Sequence, residues 1–315
     1  MKTPVLLIIF NRPESSNQVF QAIRKAKPKE LFIAADGPRS DRINEAELCQ
    51  QTRAIVNQVD WDCEVKTLFR DENLGCGLGP SSAISWFFEH VEKGIILEDD
   101  CLPDPSFFTF CEYLLEYYAD NLNIGQITGC NFQHGQQRGS ASYYYSKYFL
   151  IWGWATWRNR WKEYSFTIEN ADSIIQHKII DQKSATQIEK DFWYRKLETL
   201  RDGQRKDAWD YQWMFANWYL DRLSIVPNTN LISNIGFTET ATHTTKVDAQ
   251  ISYLPTDSLQ LITHPSVIEE DKKADYYTFH KSKFFPIPTW KDKLRWTLKK
   301  ILPSKAKNAL KQVTK

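Results

Sequence analysis

The sequence predicts an α/β protein with a mostly parallel central sheet flanked by helices. Over about the first hundred residues, short apolar runs alternate with amphipathic segments, as in strands that are each followed by a covering helix. The apolar runs are continuous, which is typical of strands buried on both faces. With 315 residues, 42% of them apolar, the chain can bury a large core.

Each element of the first half has its own local signal. The first helix has Ser15 or Ser16 as its expected cap, and it carries Val19, Phe20 and Ile23 on one face. The predicted strands are residues 4–10, 30–35, 64–69 and 94–97, and the predicted helices are residues 15–26, 41–59 and 80–91.

The pattern beyond residue 102 is less regular, although apolar and aromatic residues continue. We expect a nucleotide-sugar-binding half over 1–120, an acceptor-binding half of the same domain over 121–250 and a C-terminal extension over 251–315. The elements predicted here are helices at 105–118 and 171–200, a helix opened by Trp209, and strands at 124–129 and 223–227.

The charge balance and the cysteine spacing argue against a nucleic-acid-binding protein and a zinc-binding protein. Forty basic residues against 39 acidic ones disfavour nucleic-acid binding, which usually requires a strongly basic domain. The six cysteines form no C-x-x-C pair and match no zinc-site spacing. They are expected to be reduced thiols.

The apolar run at residues 4–10 predicts a buried strand rather than a signal peptide. It is seven residues long and ends at Asn11-Arg12-Pro13, without a small-residue cleavage site. No apolar run approaches the roughly 20 residues that span a membrane. We therefore expect a cytoplasmic protein.

Polar groups follow four consecutive predicted strands. They are Asn11-Arg12, Asp36, the glycine-rich segment 73–79 and the acidic triplet Glu98-Asp99-Asp100. Because ligands bind beyond the carboxyl ends of parallel strands, these groups are predicted to meet at one rim. An acidic cluster there could hold Mg²⁺ or Mn²⁺, which neutralises a departing diphosphate. The alternative is a solvated acidic turn.

The segment IILEDDCLPDPSFF, residues 95–108, resembles the acidic-motif region of N-acetylglucosaminyltransferase I-like enzymes. These are inverting glycosyltransferases of the GT-A type, a Rossmann-like nucleotide-diphospho-sugar transferase fold. The resemblance includes the end of strand one, Asp36, Gly153-Trp154 and Trp209-Asp210, and it spans about residues 4–245. It implies a transferase that moves a sugar, N-acetylglucosamine by default, from a UDP-sugar to a glycan, lipid-linked or protein acceptor.

The resemblance also implies roles for individual residues. Asp100 would be the direct metal ligand, and Asp36 would accept a hydrogen bond from uracil, although an Asp after a strand is often a turn former or helix cap. His243, in a late loop over the diphosphate, is a metal or phosphate contact or else structural. The implied nucleotide-sugar contacts are Asn11, Arg12, Asp36, Glu98, Asp99 and Trp154.

Asp210 is the predicted general base, which would remove the proton of the acceptor hydroxyl. Related enzymes place their base in a Trp-Asp-Asp-Trp segment, whereas this chain has Trp-Asp-Tyr-Gln-Trp. That segment is one residue longer and has one acid fewer, so Asp207 is the second choice. The alternative role of Asp210 is a helix N-cap between core tryptophans.

Trp152-Gly153-Trp154 is interpreted as cleft wall beside the donor sugar or, alternatively, as core packing. The segment 73–79 lacks the Gly-Lys-Ser/Thr ending of a P-loop and the basic residue of a nucleotidyltransferase signature. A sugar nucleotidyltransferase is therefore the second choice among enzymes, and a non-catalytic carbohydrate-binding protein the choice from another class.

The C-terminal segment has a basic amphipathic pattern. Over residues 290–302, Trp290, Leu294, Leu298 and Ile301 share one helical face, with lysines on much of the rest. This face could attach reversibly to an anionic membrane, with the acceptor lipid-linked, or it could pack on the catalytic domain.

Overall fold

An eight-stranded sheet forms the centre of the protein, and a two-stranded sheet lies beside it. The computed structural model describes residues 1–201, 207–237 and 251–287. The strands are β1 (Val5–Ile9), β2 (Glu30–Ala35), β3 (Glu64–Phe69), β4 (Lys93–Glu98), β5 (Cys101–Pro103), β6 (Ile124–Thr128), β7 (Tyr143–Ser146), β8 (Trp154–Trp157), β9 (Leu223–Pro227) and β10 (Ile232–Asn234).

The order of the large sheet is β3-β2-β1-β4-β8-β6-β9-β7. Strands β3, β2, β1 and β4 are parallel neighbours, and β6 pairs in parallel with β9. Strand β8 is antiparallel to both β4 and β6, so β4 and β6 run in the same direction. Six strands therefore share one direction: β1, β2, β3, β4, β6 and β9. The prediction of an α/β fold with a mostly parallel sheet is confirmed.

Helices pack against this sheet through their apolar faces. Helix α1 buries Val19, Phe20 and Ile23, as predicted. The helices are α1 (Pro13–Ala26), α2 (Glu45–Arg53), α3 (Gly75–His90), α4 (Pro105–Tyr117), α5 (Arg158–Trp161), α6 (Ala171–Gln176), α7 (Ile179–Lys183), α8 (Gln187–Leu200), α9 (Asp210–Tyr219) and α10 (Lys272–His280).

Three predicted helices begin or divide differently in the structure. Helix α1 begins at Pro13 with Arg12 as N-cap, so a serine cap was wrong; proline pre-sets the first helical φ angle. The predicted helix 41–59 consists of α2 and a 3₁₀-helix, Ala54–Gln58. The predicted helix 171–200 is three shorter helices, α6 to α8.

Helix α3 begins inside the glycine-rich segment, five residues before its predicted start at Pro80. The backbone N–H groups of Leu74 and Gly75 donate to the Asp36 carboxylate at 3.0 Å, which satisfies donors that the helix itself leaves open. A Cβ on Gly79 would lie 3.2 Å from Asp36 Oδ2, so the missing side chain allows this close approach.

Residues 251–287 belong to the same packed body as the large sheet. Phe279 and Phe285 lie in the main core, and the backbone of Glu270 bridges to Tyr145 in β7. This segment therefore packs against the sheet through its own aromatic side chains, and the division at residue 251 stays a prediction. Residues 290–302, with the predicted membrane contact, lie outside the described residues. Within the described part, no helix combines the length and the apolar character needed to cross a membrane.

A buried ionic cluster joins the C-terminal segment to the rest. Lys147 Nζ lies 2.8 Å from Glu189 Oε1 in α8. The backbone N–H of Lys147 donates to Asp275 Oδ2 in α10 at 3.0 Å. All three residues are at most 3% exposed. The cluster therefore connects β7, α8 and α10 through groups that have little access to water.

Candidate active site

The acidic triplet lies at the carboxyl end of β4, against the end of β1. Arg12 Nη1 is 3.0 Å from Asp100 Oδ2 and 3.4 Å from Asp99 Oδ1. The backbone N–H of Phe10 donates to Asp99 Oδ2 at 3.3 Å. The predicted proximity of these two strand ends is therefore present, with Arg12 in direct contact with two of the three acids.

Burial makes the ionisation of Glu98 unfavourable. Burial, together with the charges of Asp100, Asp99 and Asp210, raises the pKa of Glu98 to about 8, although the charge of Arg12 acts in the opposite direction. Atom Oε1 of Glu98 is buried and has no hydrogen-bond partner among the described residues. Burial and Asp100 also raise the pKa of Asp99. The triplet therefore includes a carboxyl group that is mostly protonated at neutral pH and can donate a hydrogen bond.

The segment that follows β10 closes onto Asp100. Strands β5 and β10 pair so that Asn234 lies opposite Cys101, and Ile235 N–H donates to the Asp100 carbonyl at 2.8 Å. At Gly236, an added Cβ would be 2.2 Å from Asp100 Oδ2, so a side chain has no room there. The rest of the predicted late loop, including His243, is outside the described residues.

Helix α9 begins beside the triplet. Asp210 lies in its first turn, where the helix dipole favours a negative charge, and Trp209 rather than Asp210 is the N-cap. The charge of Asp210 contributes to the raised pKa values of Glu98, Cys76 and Tyr164. These effects indicate that the predicted base and the triplet share one electrostatic environment.

Asp207, the second choice for the base, precedes α9. Its backbone carbonyl accepts a hydrogen bond from the Cys76 thiol at 3.4 Å. Cys76 is in the first turn of α3, so this bond holds the start of α3 against the segment leading into α9.

One buried carboxylate, that of Glu45, organises the loop after β2. Asn11 Nδ2 donates to Glu45 Oε1 at 3.0 Å, and Arg39 N–H donates to Glu45 Oε2 at 2.6 Å. Glu45 is only 4% exposed. Asn11 is therefore held by a carboxylate that sequence reasoning missed, since Glu45 looks like an ordinary acid in the first turn of a helix. The Asp36 carboxylate caps the start of α3, and its contact with a nucleotide base stays a prediction.

Trp154 has a different environment from the predicted one. Its side chain is fully buried and stacks on Trp209 at 5.9 Å, with Trp161 and Trp213 around it. Its ring therefore belongs to the core and not to a cleft wall, in agreement with the packing alternative. Gly153 has a φ of +61°, and a Cβ there would lie 2.4 Å from Ile232, which makes glycine necessary for packing.

The residues at the rim fit a divalent ion that takes most of its ligands from elsewhere. Asp100 is a carboxylate with 21% side-chain exposure, and it is paired with Arg12. The described residues contain no group of three or more His, Cys, Asp or Glu side chains arranged to hold a metal. An ion at Asp100 would therefore need phosphate oxygens and water, as Mg²⁺ commonly does.

No protein-family model matches this chain, and no curated protein matches it. Among solved structures, a UDP-glucose pyrophosphorylase complexed with UDP-glucose is 9% identical; 72% of this chain and 90% of that one are covered, with a TM-score of 0.37. HddC from Yersinia pseudotuberculosis is 10% identical over 40% of this chain and 57% of its own length, with a TM-score of 0.28.

A third solved structure is a 4-diphosphocytidyl-2C-methyl-D-erythritol synthase from Anaerococcus prevotii. It is 9% identical, with 70% of this chain and 99% of that chain covered and a TM-score of 0.30. None of the three is an N-acetylglucosaminyltransferase. Likenesses this distant assign no family to the chain.

Proposed function

We propose that this protein is an inverting, metal-dependent glycosyltransferase that moves a sugar from a UDP-sugar to a glycan, lipid-linked or protein acceptor. One observation carries the proposal. The acids that end β4 contact Arg12 from the end of β1, and Asp210 at the start of α9 shares their electrostatic environment. A carboxylate ligand for a metal–diphosphate complex and a separate carboxylate base are the two groups that a single displacement requires.

In this reaction, the acceptor oxygen forms a bond to the anomeric carbon while the bond from that carbon to the phosphate oxygen breaks. The diphosphate leaves with the electron pair, and Asp210 takes the proton of the acceptor hydroxyl. A Mn²⁺ or Mg²⁺ ion held by Asp100 would supply neutralisation of the diphosphate charge. One base and one displacement invert the anomeric centre.

The remaining residues of the rim would orient the donor. Glu98, with its raised pKa, can be protonated and then donate one hydrogen bond to a ribose or sugar oxygen. Arg12 could exchange part of its pairing with Asp100 for the phosphates, because a guanidinium binds both groups in the same geometry. Asn11 is already oriented by Glu45.

The finer identity of the reactants rests on the resemblance to N-acetylglucosaminyltransferase I-like enzymes. It makes N-acetylglucosamine the default donor sugar. We propose polysaccharide synthesis in the cytoplasm as the setting, as expected for a chain without a predicted signal peptide. A lipid-linked acceptor would agree with peripheral attachment of the basic segment at residues 290–302 to the inner face of the membrane.

The second candidate is a sugar nucleotidyltransferase, which joins a nucleoside triphosphate to a sugar phosphate. The solved structures with distant likeness include a UDP-glucose pyrophosphorylase, so the comparisons stand closer to this candidate than to glycosyl transfer. Against it, the segment 73–79 contains no basic residue for a triphosphate, and from Gly75 onward it forms the first turns of α3. Both candidates use a nucleotide sugar, and their by-products differ.

The by-product provides the deciding experiment. The protein is incubated with Mn²⁺ and UDP-N-acetylglucosamine or other UDP-sugars, and separately with UTP and sugar 1-phosphates. Release of UDP from a UDP-sugar supports glycosyl transfer. If pyrophosphate is released from UTP and a sugar 1-phosphate, and no UDP is released from any UDP-sugar, the protein is a nucleotidyltransferase instead. The midpoint temperature of thermal unfolding should rise on addition of UDP-sugars only when metal is present. No shift with any nucleotide would reject both candidates.

The role of Asp210 has its own test. We expect Asp210→Asn to slow transfer by at least about a hundredfold while donor affinity stays nearly unchanged, because a general base acts on the transition state. Asp207→Asn is the matched control and should keep most of its turnover. Full activity in Asp210→Asn would place the base elsewhere. Proton NMR of the first-formed product reads its stereochemistry, and retention would contradict the single displacement.

A further inference from the structure

The solvent side of helix α4 is aromatic. Tyr113 and Tyr117 lie one turn apart and are 44% and 55% exposed, while Phe107 and Phe110 of the same helix are buried in the core. Exposed positions of a helix normally carry polar side chains. Two neighbouring tyrosines on the solvent side therefore form a surface that the packing of α4 does not require.

His264 packs against both tyrosines and connects them to the core. The imidazole stacks on Tyr117 with ring centroids 4.1 Å apart and an interplanar angle of 12°. Its Nδ1 is 2.7 Å from the Tyr143 hydroxyl, and its Nε2 is 3.1 Å from the Tyr113 hydroxyl. Tyr143 is fully buried. These contacts order the two tyrosine side chains, so ligand binding would cost little side-chain entropy in the protein.

A shallow depression of about 500 Å³ adjoins the two rings. Thr109, Glu112 and Glu116 complete its lining. Glu112 Oε1 accepts from the backbone N–H groups of Lys2 and Thr3 at 2.6 and 2.9 Å, and Glu116 Oε1 pairs with Lys93 at 2.5 Å. Among the described residues, these bonds engage one oxygen of each carboxylate and leave the other to accept from a ligand.

The chemistry of this lining matches a sugar ring. A pyranose presents C–H groups on one face, which suit a flat aromatic ring, and hydroxyl donors around its edge, which suit carboxylate oxygens. The volume lies within the usual range for small-ligand sites. Two carboxylates disfavour an anionic ligand, because like charges repel. The ligand that fits is a neutral oligosaccharide.

The depression is remote from the acidic triplet. Glu112 is hydrogen-bonded to residues that precede β1, and Glu116 pairs with Lys93 at the start of β4, whereas the triplet begins at the last residue of β4. Strand β4 has six residues, which at about 3.3 Å each separates the two places by about 20 Å. A ligand here cannot be the reacting sugar.

We propose that Tyr113, Tyr117 and the adjoining carboxylates form a second, non-catalytic binding site for a neutral oligosaccharide. The site would retain a glycan chain on the protein by a part remote from any reacting end. It does not depend on which nucleotide reaction the acidic triplet performs.

Affinity electrophoresis in gels that contain dextran, a mixed-linkage β-glucan or galactan tests the proposal. We expect at least one of these neutral polysaccharides to slow the wild-type protein, and Tyr113→Ala/Tyr117→Ala to remove at least about nine tenths of that retardation. Tyr276→Ala is the matched control, because Tyr276 is 47% exposed and its ring lies 4.4 Å from His280. It should be retarded like the wild type.

Two further measurements separate the possible failures. The double variant should keep the metal-dependent thermal shift that UDP-sugars cause in the wild type. A loss of that shift would be attributed to a change at the rim and not at this surface. In the wild type, the NMR signals of the His264 ring should shift on addition of oligosaccharides cut from the retarding polysaccharide, which requires no variant. Absence of retardation in all three gels, equal retardation of the double variant, or unshifted His264 signals would overturn the proposal.

Discussion

Gly236 shows how closely the late segment approaches the metal-ligand candidate. Because an added Cβ would lie 2.2 Å from Asp100 Oδ2 and 2.7 Å from Asp100 Cβ, either the segment or the carboxylate must move in Gly236→Ala. We expect this variant to weaken Mn²⁺-dependent UDP binding by at least about tenfold, with the fold retained. Isothermal titration calorimetry measures the affinity.

Ser233→Ala is the control for that variant, because Ser233 is in β10 and only half-buried. Its affinity should match that of the wild type. Unchanged Mn²⁺-dependent affinity in Gly236→Ala would mean that Asp100 does not face the metal, and the assignment of Asp100 would then be abandoned.

Glu98 predicts a particular dependence of stability on pH. Its ordinary pKa is 4.5, and burial raises it to about 8, so between these values the folded chain keeps a proton that the unfolded chain has released. The free energy of unfolding therefore falls as pH rises through this window, by at most roughly 1.4 kcal/mol per pH unit from this group. The glutamine side chain of Glu98→Gln cannot ionise, so this variant should not show that fall in the free energy of unfolding.

Urea unfolding in EDTA at about pH 5 and about pH 8 measures the effect. The stability of Glu98→Gln relative to the wild type should increase between the two pH values. Parallel pH profiles for the two proteins would show that Glu98 has an ordinary pKa.

The residues that were predictable at the site are those that follow strands. Arg12 and the triplet were found because parallel strands end at the same edge of a sheet, and the contact of Arg12 with Asp100 follows from that rule. Glu45 was not predictable, because nothing local distinguishes a buried acid at a helix start from an exposed one. Trp154 was placed wrongly, because an indole suits a core and a sugar cleft equally.

At the scale of elements, Arg160 in α5 joins the end of α4 to the start of β6. Its side chain is fully buried. One guanidinium nitrogen, Nη2, lies 2.9–3.1 Å from the carbonyl oxygens of Tyr118, Ala119 and Asn121, and Nε donates to the Ile124 carbonyl at 3.3 Å. A helix end leaves such carbonyls without partners, so one side chain here completes the hydrogen bonding of the whole turn.

Arg160→Met should therefore lower the free energy of unfolding by about 3 kcal/mol, since it leaves buried carbonyls unsatisfied. Arg160→Lys should recover part of it, because one ammonium can replace Nη2 but not the bond that Nε donates to the Ile124 carbonyl at 3.3 Å. Denaturant titration measures both variants. A loss below about 1 kcal/mol in Arg160→Met would mean that water replaces these bonds.

The elements of the first half were predictable because strands β1, β2 and β3 are each followed by a helix. Strands β2 and β3 have the predicted bounds. The short strands β5, β7, β8 and β10 were not predicted, since three or four residues show no period and their pairing partners are distant in sequence. The early start of α3 depends on Asp36, which lies 39 positions before Gly75.

At the scale of the whole molecule, Lys147 connects the large sheet with the C-terminal segment 251–287. It is the positive member of a buried cluster with Glu189 and Asp275, and its Nζ also donates to the Lys183 carbonyl at 2.6 Å. Removing one partner of a buried ion pair leaves an uncompensated charge, which commonly costs about 3–5 kcal/mol.

Lys147→Met should lose stability by that amount and should expose the segment 251–287 to limited proteolysis. Lys29→Met is the matched control, because Lys29 pairs with Asp62 at the surface, and its replacement should leave stability nearly unchanged. Equal stability of Lys147→Met and the wild type, with no new cleavage, would show that α10 docks through its apolar contacts alone.

The environment of Trp152 gives the rim an optical signal of its own. Its half-buried indole packs edge-on against Phe237, with the ring centroids 5.7 Å apart, and Phe237 directly follows the glycine that crowds Asp100. Indole fluorescence varies with the polarity around the ring, so a change in this segment alters the emission of one tryptophan. The difference spectrum between the wild type and Trp152→Phe isolates that emission from the other indoles, and occupancy of the rim can then be followed in real time without a labelled donor.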